Sequence, residues 1–187
     1  GSLMKIGIVG LGLIGSSIGL SLQNSDKYQV FGYDVSQKNI DIAIKRSVID
    51  CQFEDLSEMA ACDLVFISVP PASVVAVLSV LELSPGRRCI ATDCTSVKGL
   101  VVDWINQTNE RSTWVVGGHP LAGNEGQGPE AASDELFSQS GWVLTPCAGT
   151  MPEIIDCVSS VVKDIGAVPV LIDPREHDST VALTSHL

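Results

Sequence analysis

The chain has 187 residues, of which 45% are hydrophobic and 18% charged, and its formal net charge at pH 7 is −11. This composition suits one globular domain with a sizeable core and argues against intrinsic disorder. The acidic balance disfavours nucleic acid and anionic membrane surfaces, which the protein would repel, so a small-molecule role is the leading interpretation.

Two segments bear on the expected location of the protein. Residues 1–3 (GSL) resemble a cloning remnant before Met4, and no cationic segment with an apolar core indicates a secretory signal. Residues 64–81 (LVFISVPPASVVAVLSVL) carry no charge, but Pro70 and Pro71 divide them. This pattern favours a buried strand, a turn and a helix over a membrane span. We therefore expect a cytoplasmic protein.

The first predicted elements are a strand, a glycine-rich turn and a helix. Residues 5–9 (KIGIV) form an apolar run typical of a buried parallel strand, and Gly10, Gly12 and Gly15 follow with the spacing GxGxxG. Such glycines allow a sharp turn, a close approach of the backbone to a pyrophosphate, and tight packing of the helix on the strand. Because the N–H groups of a helix N-terminus attract phosphate, the pattern predicts a dinucleotide site that includes Leu13 and Ile14.

A second strand, residues 28–34 (YQVFGYD), ends in an acidic residue. Asp34 follows Gly15 at about the spacing that dinucleotide-binding folds use for an acid that binds ribose. Its carboxylate can accept hydrogen bonds from the ribose hydroxyls of NAD, but would repel the 2′-phosphate of NADP. The next residues offer only Lys38 and no arginine to bind that phosphate. The predicted cofactor is NAD, with NADP less favoured.

The rest of the chain alternates between predicted strands and helices. Strands are expected at residues 63–69, 89–93, 114–117, 142–145 and 168–172, and helices at residues 74–81, 97–105 and 152–165. This rhythm predicts an α/β fold with a doubly wound, mainly parallel sheet of the Rossmann type. In such sheets ligands bind beyond the carboxyl ends of the strands.

Several polar motifs fall at that edge of the predicted sheet, among them SVPP, DCTS and GGHPLAG. His119 follows a predicted strand there and can act as a base at neutral pH, since histidine has an ordinary pKa of about 6.5. Ser96 can orient a substrate hydroxyl, or can serve only as the N-cap of a helix beginning at Val97. His119 can likewise be a structural residue of its loop.

The six cysteines include no CxxC pair, and none has a nearby histidine, so no metal site is predicted. We expect them to be reduced and mostly buried. Cys94 lies next to the proposed site, which leaves a nucleophilic role open.

Four motifs together resemble the prephenate/arogenate dehydrogenases of tyrosine biosynthesis: GLGLIGSSIGLSL, TDCTSVKG, GGHPLAGNEGQG and EHDSTVALTSHL. The resemblance implies oxidation of a ring alcohol by NAD with loss of carbon dioxide, which converts prephenate to 4-hydroxyphenylpyruvate, or arogenate to tyrosine. It also implies a small-molecule substrate, no nucleic-acid or membrane partner, and a homodimer for the full-length enzyme.

The resemblance also implies roles for individual residues. His119 corresponds to the base at the ring hydroxyl and Ser96 to its partner there. The cofactor side includes Ser68, Val69 and Pro70, whereas the substrate side includes Gly123, Asn124, Glu125 and His186. The family often has threonine where this chain has Asn124. Asp178 is a weaker candidate, and the motif assigns no role to Lys98.

The last residues read as an uncapped helix. We therefore expect an NAD-binding domain at residues 4–173 and, at residues 174–187, the start of a helix that leads to an absent helical dimerisation domain. On that interpretation the chain binds NAD but turns over weakly by itself.

Two other functions fit part of the pattern. A β-hydroxyacid dehydrogenase of the 3-hydroxyisobutyrate type shares the glycine motif but lacks the HPLAG segment. A non-catalytic NAD-sensing module also fits the glycine motif, but then the shared location of His119, Ser96 and Glu125 is a coincidence.

Overall fold

The computed structural model describes residues 2–84, 89–107, 114–122 and 126–172. Its strands are β1 (Met4–Val9), β2 (Tyr28–Tyr33), β3 (Cys51–Gln52), β4 (Leu64–Ile67), β5 (Ile90–Asp93), β6 (Trp114–Pro120), β7 (Gly141–Thr145) and β8 (Val168–Leu171). Its α-helices are α1 (Leu13–Leu22), α2 (Gln37–Lys45), α3 (Pro71–Leu83), α4 (Gly99–Gln107) and α5 (Pro152–Ile165). Short 3-10 helices lie at Leu56–Ala61 and Pro129–Ala131.

The strands form one sheet of eight within the described residues, in the order β3-β2-β1-β4-β5-β6-β7-β8. All neighbouring pairs are parallel except β6 and β7. The predicted doubly wound, mainly parallel α/β fold is therefore confirmed.

The two faces of the sheet are covered by different helices. Side chains alternate between the faces along each strand, so Leu64 and Phe66 of β4 pack with α1, α2 and α5, whereas Val65 and Ile67 pack with α3 and α4. All four of these side chains are buried. Burial on both faces explains why β4 reads as a continuous apolar run, without the alternation of a strand that has one wet face.

Several elements of the structure differ from the predicted ones. Helix α2, strand β3 and the 3-10 helix at Leu56–Ala61 were not predicted. Helix α3 begins at Pro71, because proline suits the first turn of a helix. Strand β7 runs antiparallel to β6, and the described part of the connection between them contains a 3-10 helix but no α-helix.

The segment 64–81 is a strand followed by a helix, as predicted. Among the described helices, none is both long and apolar enough to cross a membrane. All six cysteines lie in the described residues and none forms a disulfide; Cys62, Cys89 and Cys94 are buried.

An ion pair is buried at the carboxyl end of β5. The ammonium of Lys98 donates to the carboxylate of Asp93, and the two side chains are 0% and 1% exposed. A second ion pair, between Lys27 and Asp164, lies at the surface, where the Lys27 side chain is 64% exposed. The chain thus offers a buried and an exposed lysine–aspartate pair for comparison.

We predict that Lys98→Met lowers the free energy of unfolding by about 3–5 kcal/mol, because it leaves the Asp93 carboxylate buried without its cation. The matched Lys27→Met change should cost no more than about 1 kcal/mol, since water solvates the remaining charge. Urea unfolding followed by tryptophan fluorescence measures both. Equal small losses in the two variants would contradict the assignment of Lys98 as a buried charge.

Candidate dinucleotide and substrate site

The proposed site lies beside β1, at the point where the order in which successive strands are added to the sheet reverses. Strand β1 pairs with β2 on one side and β4 on the other, so the connections after β1 and β4 diverge to opposite faces. Such a divergence leaves a crevice at the carboxyl ends of the strands, which is the usual ligand position in open α/β sheets. Gly10 follows β1 at this crevice, and Ser68 follows β4.

The glycine-rich turn brings the backbone close to this crevice. Gly10 has a φ of +95°, and a Cβ there would overlap the carbonyl oxygen of Ser68. A Cβ at Gly15 would overlap the carbonyl oxygen of Gly10, so the helix can approach the turn only with glycine at that position. Both residues therefore act through the close approach of backbone segments.

The N-terminus of α1 has the properties required to bind a pyrophosphate. Gly12 caps the helix without a side-chain hydrogen bond, and the first turn contains no acidic residue. A Cβ at Gly12 would meet no protein atom within 4 Å, which shows that space is open above the helix end. The N–H groups at a helix N-terminus, together with the positive end of its dipole, stabilise phosphate at such a position.

Asp34 follows β2 and is held by the backbone around it. Its carboxylate accepts hydrogen bonds from the N–H of Leu11 at 2.7 Å, the N–H of Ser36 at 2.8 Å and the amide of Asn39 at 3.4 Å. A carboxylate has about four acceptor positions, so it can still accept from a ribose hydroxyl. The Leu11 contact ties the carboxylate directly to the glycine-rich turn.

The crevice has two described sections that share Gly12, Ser68 and Val69. One section of about 450 Å³ lies beside Asp34. Its other lining residues are mainly apolar and include Val9, Gly10, Val35, Leu56, Pro70, Val77 and Val80. This section suits the flat, weakly polar adenine ring beside a ribose.

The second section, of about 430 Å³, extends toward the end of β5. It is lined by Leu13, Ile14, Pro71, Cys94, Thr95, Ser96 and the segment 126–128. Together the two sections offer an apolar end, a phosphate-binding helix N-terminus and a polar end, in the order of the parts of a nicotinamide dinucleotide. The described residues therefore fit that cofactor.

The structure places His119 differently from its prediction. Strand β6 extends through His119 to Pro120, so the histidine lies in a strand, where a loop was predicted. It is half-buried, and its backbone faces Val143 of β7. The antiparallel pairing with β7 explains the extension, because it supplies partners for residues beyond Gly117. His119 is not among the described lining residues of either section.

Ser96 lies in the second section and is exposed to it. The expectation that it caps a helix beginning at Val97 is wrong, since α4 begins at Gly99. The loop before α4 is held by Asp93, whose Oδ2 accepts from the N–H and the hydroxyl of Thr95 at 3.1 and 2.6 Å. Residues 94–98 therefore form a loop, and the first helical residue is Gly99.

The carboxylate of Asp93 connects the neighbours of both proposed catalytic residues. Its Oδ2 is bonded to Thr95, next to Ser96, and its Oδ1 accepts from the N–H of Gly118 at 3.1 Å, next to His119. Ser96 and His119 therefore each follow, in the chain, a residue that is hydrogen-bonded to the same buried carboxylate.

Other predicted site residues lie outside the described residues: Gly123, Asn124, Glu125, Asp178, His186 and the proposed linking segment 174–187. Within the described part, no group of three or more His, Cys, Asp or Glu side chains is placed to hold a metal ion.

Cys94 is unsuited to the nucleophilic role that its position left open. Burial raises the pKa of its thiol far above the ordinary value, and the negative charge of Asp93 adds to this effect. The ammonium of Lys98 lowers the pKa only in part. The reactive thiolate is thus disfavoured at neutral pH.

Sequence reasoning missed the contacts that hold the segment after the HPLAG motif. The guanidinium of Arg46 donates to the carbonyl oxygens of Pro129 at 2.6 Å and Ala132 at 2.9 Å. The hydroxyl of Ser17, on α1, accepts from the N–H of Ser133 at 3.1 Å. These contacts place the segment 126–128 against the second section. An arginine at the end of α2 has no sequence pattern that could indicate this role.

The family model for "Prephenate dehydrogenase, nucleotide-binding domain" matches residues 18–171. The chain is 32% identical to prephenate dehydrogenase of Bacillus subtilis over 96% of its own length and 49% of that protein. It is 34% identical to cyclohexadienyl dehydrogenase of Zymomonas mobilis, covering 97% of this chain and 62% of that protein.

Solved structures show the same likeness. Arogenate dehydrogenase of Synechocystis has a TM-score of 0.88 and 34% identity, covering 98% of this chain and 64% of that chain. Prephenate dehydrogenase of A. aeolicus, solved in complex with hydroxyphenyl propionate and NAD+, has a TM-score of 0.88 and 31% identity, covering 99% of this chain and 65% of that chain.

The chain spans between about half and two thirds of the length of these relatives. The family match covers most of the chain, and relatives above 30% identity align with nearly all of it. The chain therefore belongs to the prephenate dehydrogenase family, as its nucleotide-binding domain.

Proposed function

We propose that this chain is the cofactor-binding and base-bearing part of an enzyme that oxidises prephenate or arogenate with NAD. The observation that carries the proposal is the crevice, which suits a dinucleotide and has the Ser96 loop at its polar end, joined through Asp93 to the strand of His119. Relatives named as prephenate, arogenate and cyclohexadienyl dehydrogenases support the same reaction class.

The proposed chemistry assigns one proton transfer to this chain. A bound nicotinamide dinucleotide supplies the hydride acceptor. His119 takes the hydroxyl proton as the ring carbon loses its hydride, and Ser96 orients that hydroxyl. The ring carboxylate leaves as carbon dioxide, its bonding electrons complete the aromatic ring, and the phenolate oxygen that results takes the proton back from His119. The product is 4-hydroxyphenylpyruvate from prephenate, or tyrosine from arogenate.

The substrate side of the proposed site is completed by Gly123, Asn124, Glu125 and His186. The division into a domain at residues 4–173 and a linking helix at 174–187 also stays a prediction, as does a homodimer of the full-length protein. A metal has no role in the proposed reaction, because loss of carbon dioxide and aromatisation supply the driving force.

We predict that His119→Asn lowers turnover by at least about a hundredfold, because the variant lacks the base. NADH formation is measured in the full-length protein with prephenate and with arogenate. The affinity for NADH should stay within about twofold of the unchanged protein, since the dinucleotide contacts lie elsewhere.

Two results would contradict this part of the proposal. A His119→Asn variant with undiminished turnover would exclude the histidine as the base. A folded, NAD-binding wild type that turns over neither compound would favour the hydroxyacid dehydrogenase or the NAD-sensing module.

The preference for NAD over NADP is proposed from Asp34. Its carboxylate faces the ribose position, and a 2′-phosphate there would meet a like charge. The neighbouring Val35 is 93% exposed and offers no cation to offset that repulsion.

We predict that the protein binds NAD at least about tenfold more tightly than NADP, and that Asp34→Asn removes most of this difference. Fluorescence titrations with the reduced cofactors measure both affinities. Asp50→Asn is the matched control, because the Asp50 carboxylate likewise accepts from a backbone N–H, that of Val30, but does not line either described section of the crevice. Equal affinity of the unchanged protein for both cofactors would overturn the NAD assignment.

A further inference from the structure

We propose that the buried ion pair of Asp93 and Lys98 is a positioning element that fixes the peptide of Gly118, and with it the imidazole of His119, relative to the Ser96 loop. The role in turnover rests on the proposed function of His119, whereas the positional link can be tested without it. The reaction chemistry itself needs neither member of the pair.

The first support is that both backbone polar groups of Gly118, the residue before His119, are bound by the pair. The Gly118 N–H donates to Oδ1 of Asp93 at 3.1 Å. The Gly118 carbonyl oxygen, which belongs to the peptide bond with His119, accepts from Nζ of Lys98 at 2.5 Å. The ladder of β6 therefore receives two charge-assisted hydrogen bonds immediately before His119, and such bonds are stronger than neutral ones.

The second support is the close packing that surrounds these bonds. A Cβ at Gly118 would lie 2.5 Å from the carbonyl oxygen of Asp93 and 2.8 Å from the hydroxyl of Thr92. A Cβ at Gly117 would overlap the hydroxyl of Thr145, on β7, and would lie 3.3 Å from Cδ of Lys98. The two glycines before His119 thus let β6 approach β5, β7 and the lysine side chain. This close approach explains the GGH sequence of the motif.

The third support is that the same carboxylate also organises the Ser96 loop. Oδ2 of Asp93 accepts from the N–H and hydroxyl of Thr95 as well as from Lys98. One buried charge pair is therefore bonded to the loop of one proposed catalytic residue and to the strand of the other. Because a misplacement of about 1 Å can cost a hundredfold in rate, such a link has a direct consequence for turnover.

The decisive variant is the double change Asp93→Asn with Lys98→Met. It removes both buried charges, so no uncompensated buried charge is left to destabilise the fold, as one is in Lys98→Met alone. The methionine keeps the aliphatic length of the lysine, but the Gly118 carbonyl loses its Nζ donor. Lys27→Met is the matched control, since it removes the lysine of the exposed pair.

Turnover and the geometry of His119 are read separately in the full-length protein. Turnover is expressed per NADH-binding site, which removes the effect of any unfolded fraction, and kcat is separated from KM. The position of His119 is followed through its ring signals in 15N-histidine NMR, which are identified by their loss in His119→Asn.

We expect the double variant to bind NADH within about twofold of the unchanged protein, while kcat per site falls by about tenfold to a hundredfold and KM changes less. Its His119 ring signals should shift or broaden, whereas the amide signals of β1 and β2 stay unchanged. Lys27→Met should leave kcat and the His119 signals as they are.

Unchanged kcat per site, or unchanged His119 signals, in a folded double variant would overturn the inference. If the unchanged protein turns over neither prephenate nor arogenate, the proposed function fails. Even then, altered His119 signals in the double variant support the positional link, and unaltered signals refute it.

Discussion

The parallel pairing of β1 with β2 on one side and β4 on the other is the constraint on which the rest of the structure depends. Parallel neighbours cannot be joined by a tight hairpin, so the chain must cross a face of the sheet between them. These crossovers cover both faces and bring the ends of β1, β2, β4, β5 and β6 to one edge. The crevice between the diverging crossovers then follows from the strand order.

The two halves of the crevice are built from different chemical groups. The half near Gly12 combines the N–H groups of a helix end and glycines that admit close backbone approach with one titratable side chain, that of Asp34. The half near Ser96 is lined by the residues that follow β5, Cys94, Thr95 and Ser96, whereas His119 lies on the neighbouring strand β6 and is not among the described lining residues. The helix end and the Ser96 loop thus belong to different elements, α1 and the connection from β5 to α4.

A buried ion pair is a costly way to connect two segments, because both charges lose their hydration. In this protein the hydrogen bonds that both side chains make offset this cost. Asp93 accepts from Thr95, Lys98 and Gly118, and Lys98 donates to both Asp93 and the Gly118 carbonyl. A pair of apolar side chains would fill the same space but would leave the Gly118 peptide without these directional bonds. The pair therefore orients the backbone of Gly118 through directional hydrogen bonds, which packing alone does not supply.

The sequence by itself determined the α/β class, the glycine-rich turn and the acid after β2. These features depend on residues close together in the chain, as Gly10, Gly15 and Asp34 are, and on apolar runs that mark buried strands. The family resemblance carried by the longer motifs was confirmed by the family match.

The tertiary structure decided what depends on contacts between distant segments. The antiparallel direction of β7 was not predicted, and the inclusion of His119 in β6 and the start of α4 at Gly99 differ from the predictions. The sequence assigned no role to Lys98, because a lysine in a loop is usually solvated. Its burial depends on β6, where Gly118, 20 residues further along the chain, accepts its hydrogen bond. Local patterns reveal which elements form, whereas the partner of each buried polar group is chosen only when those elements pack together.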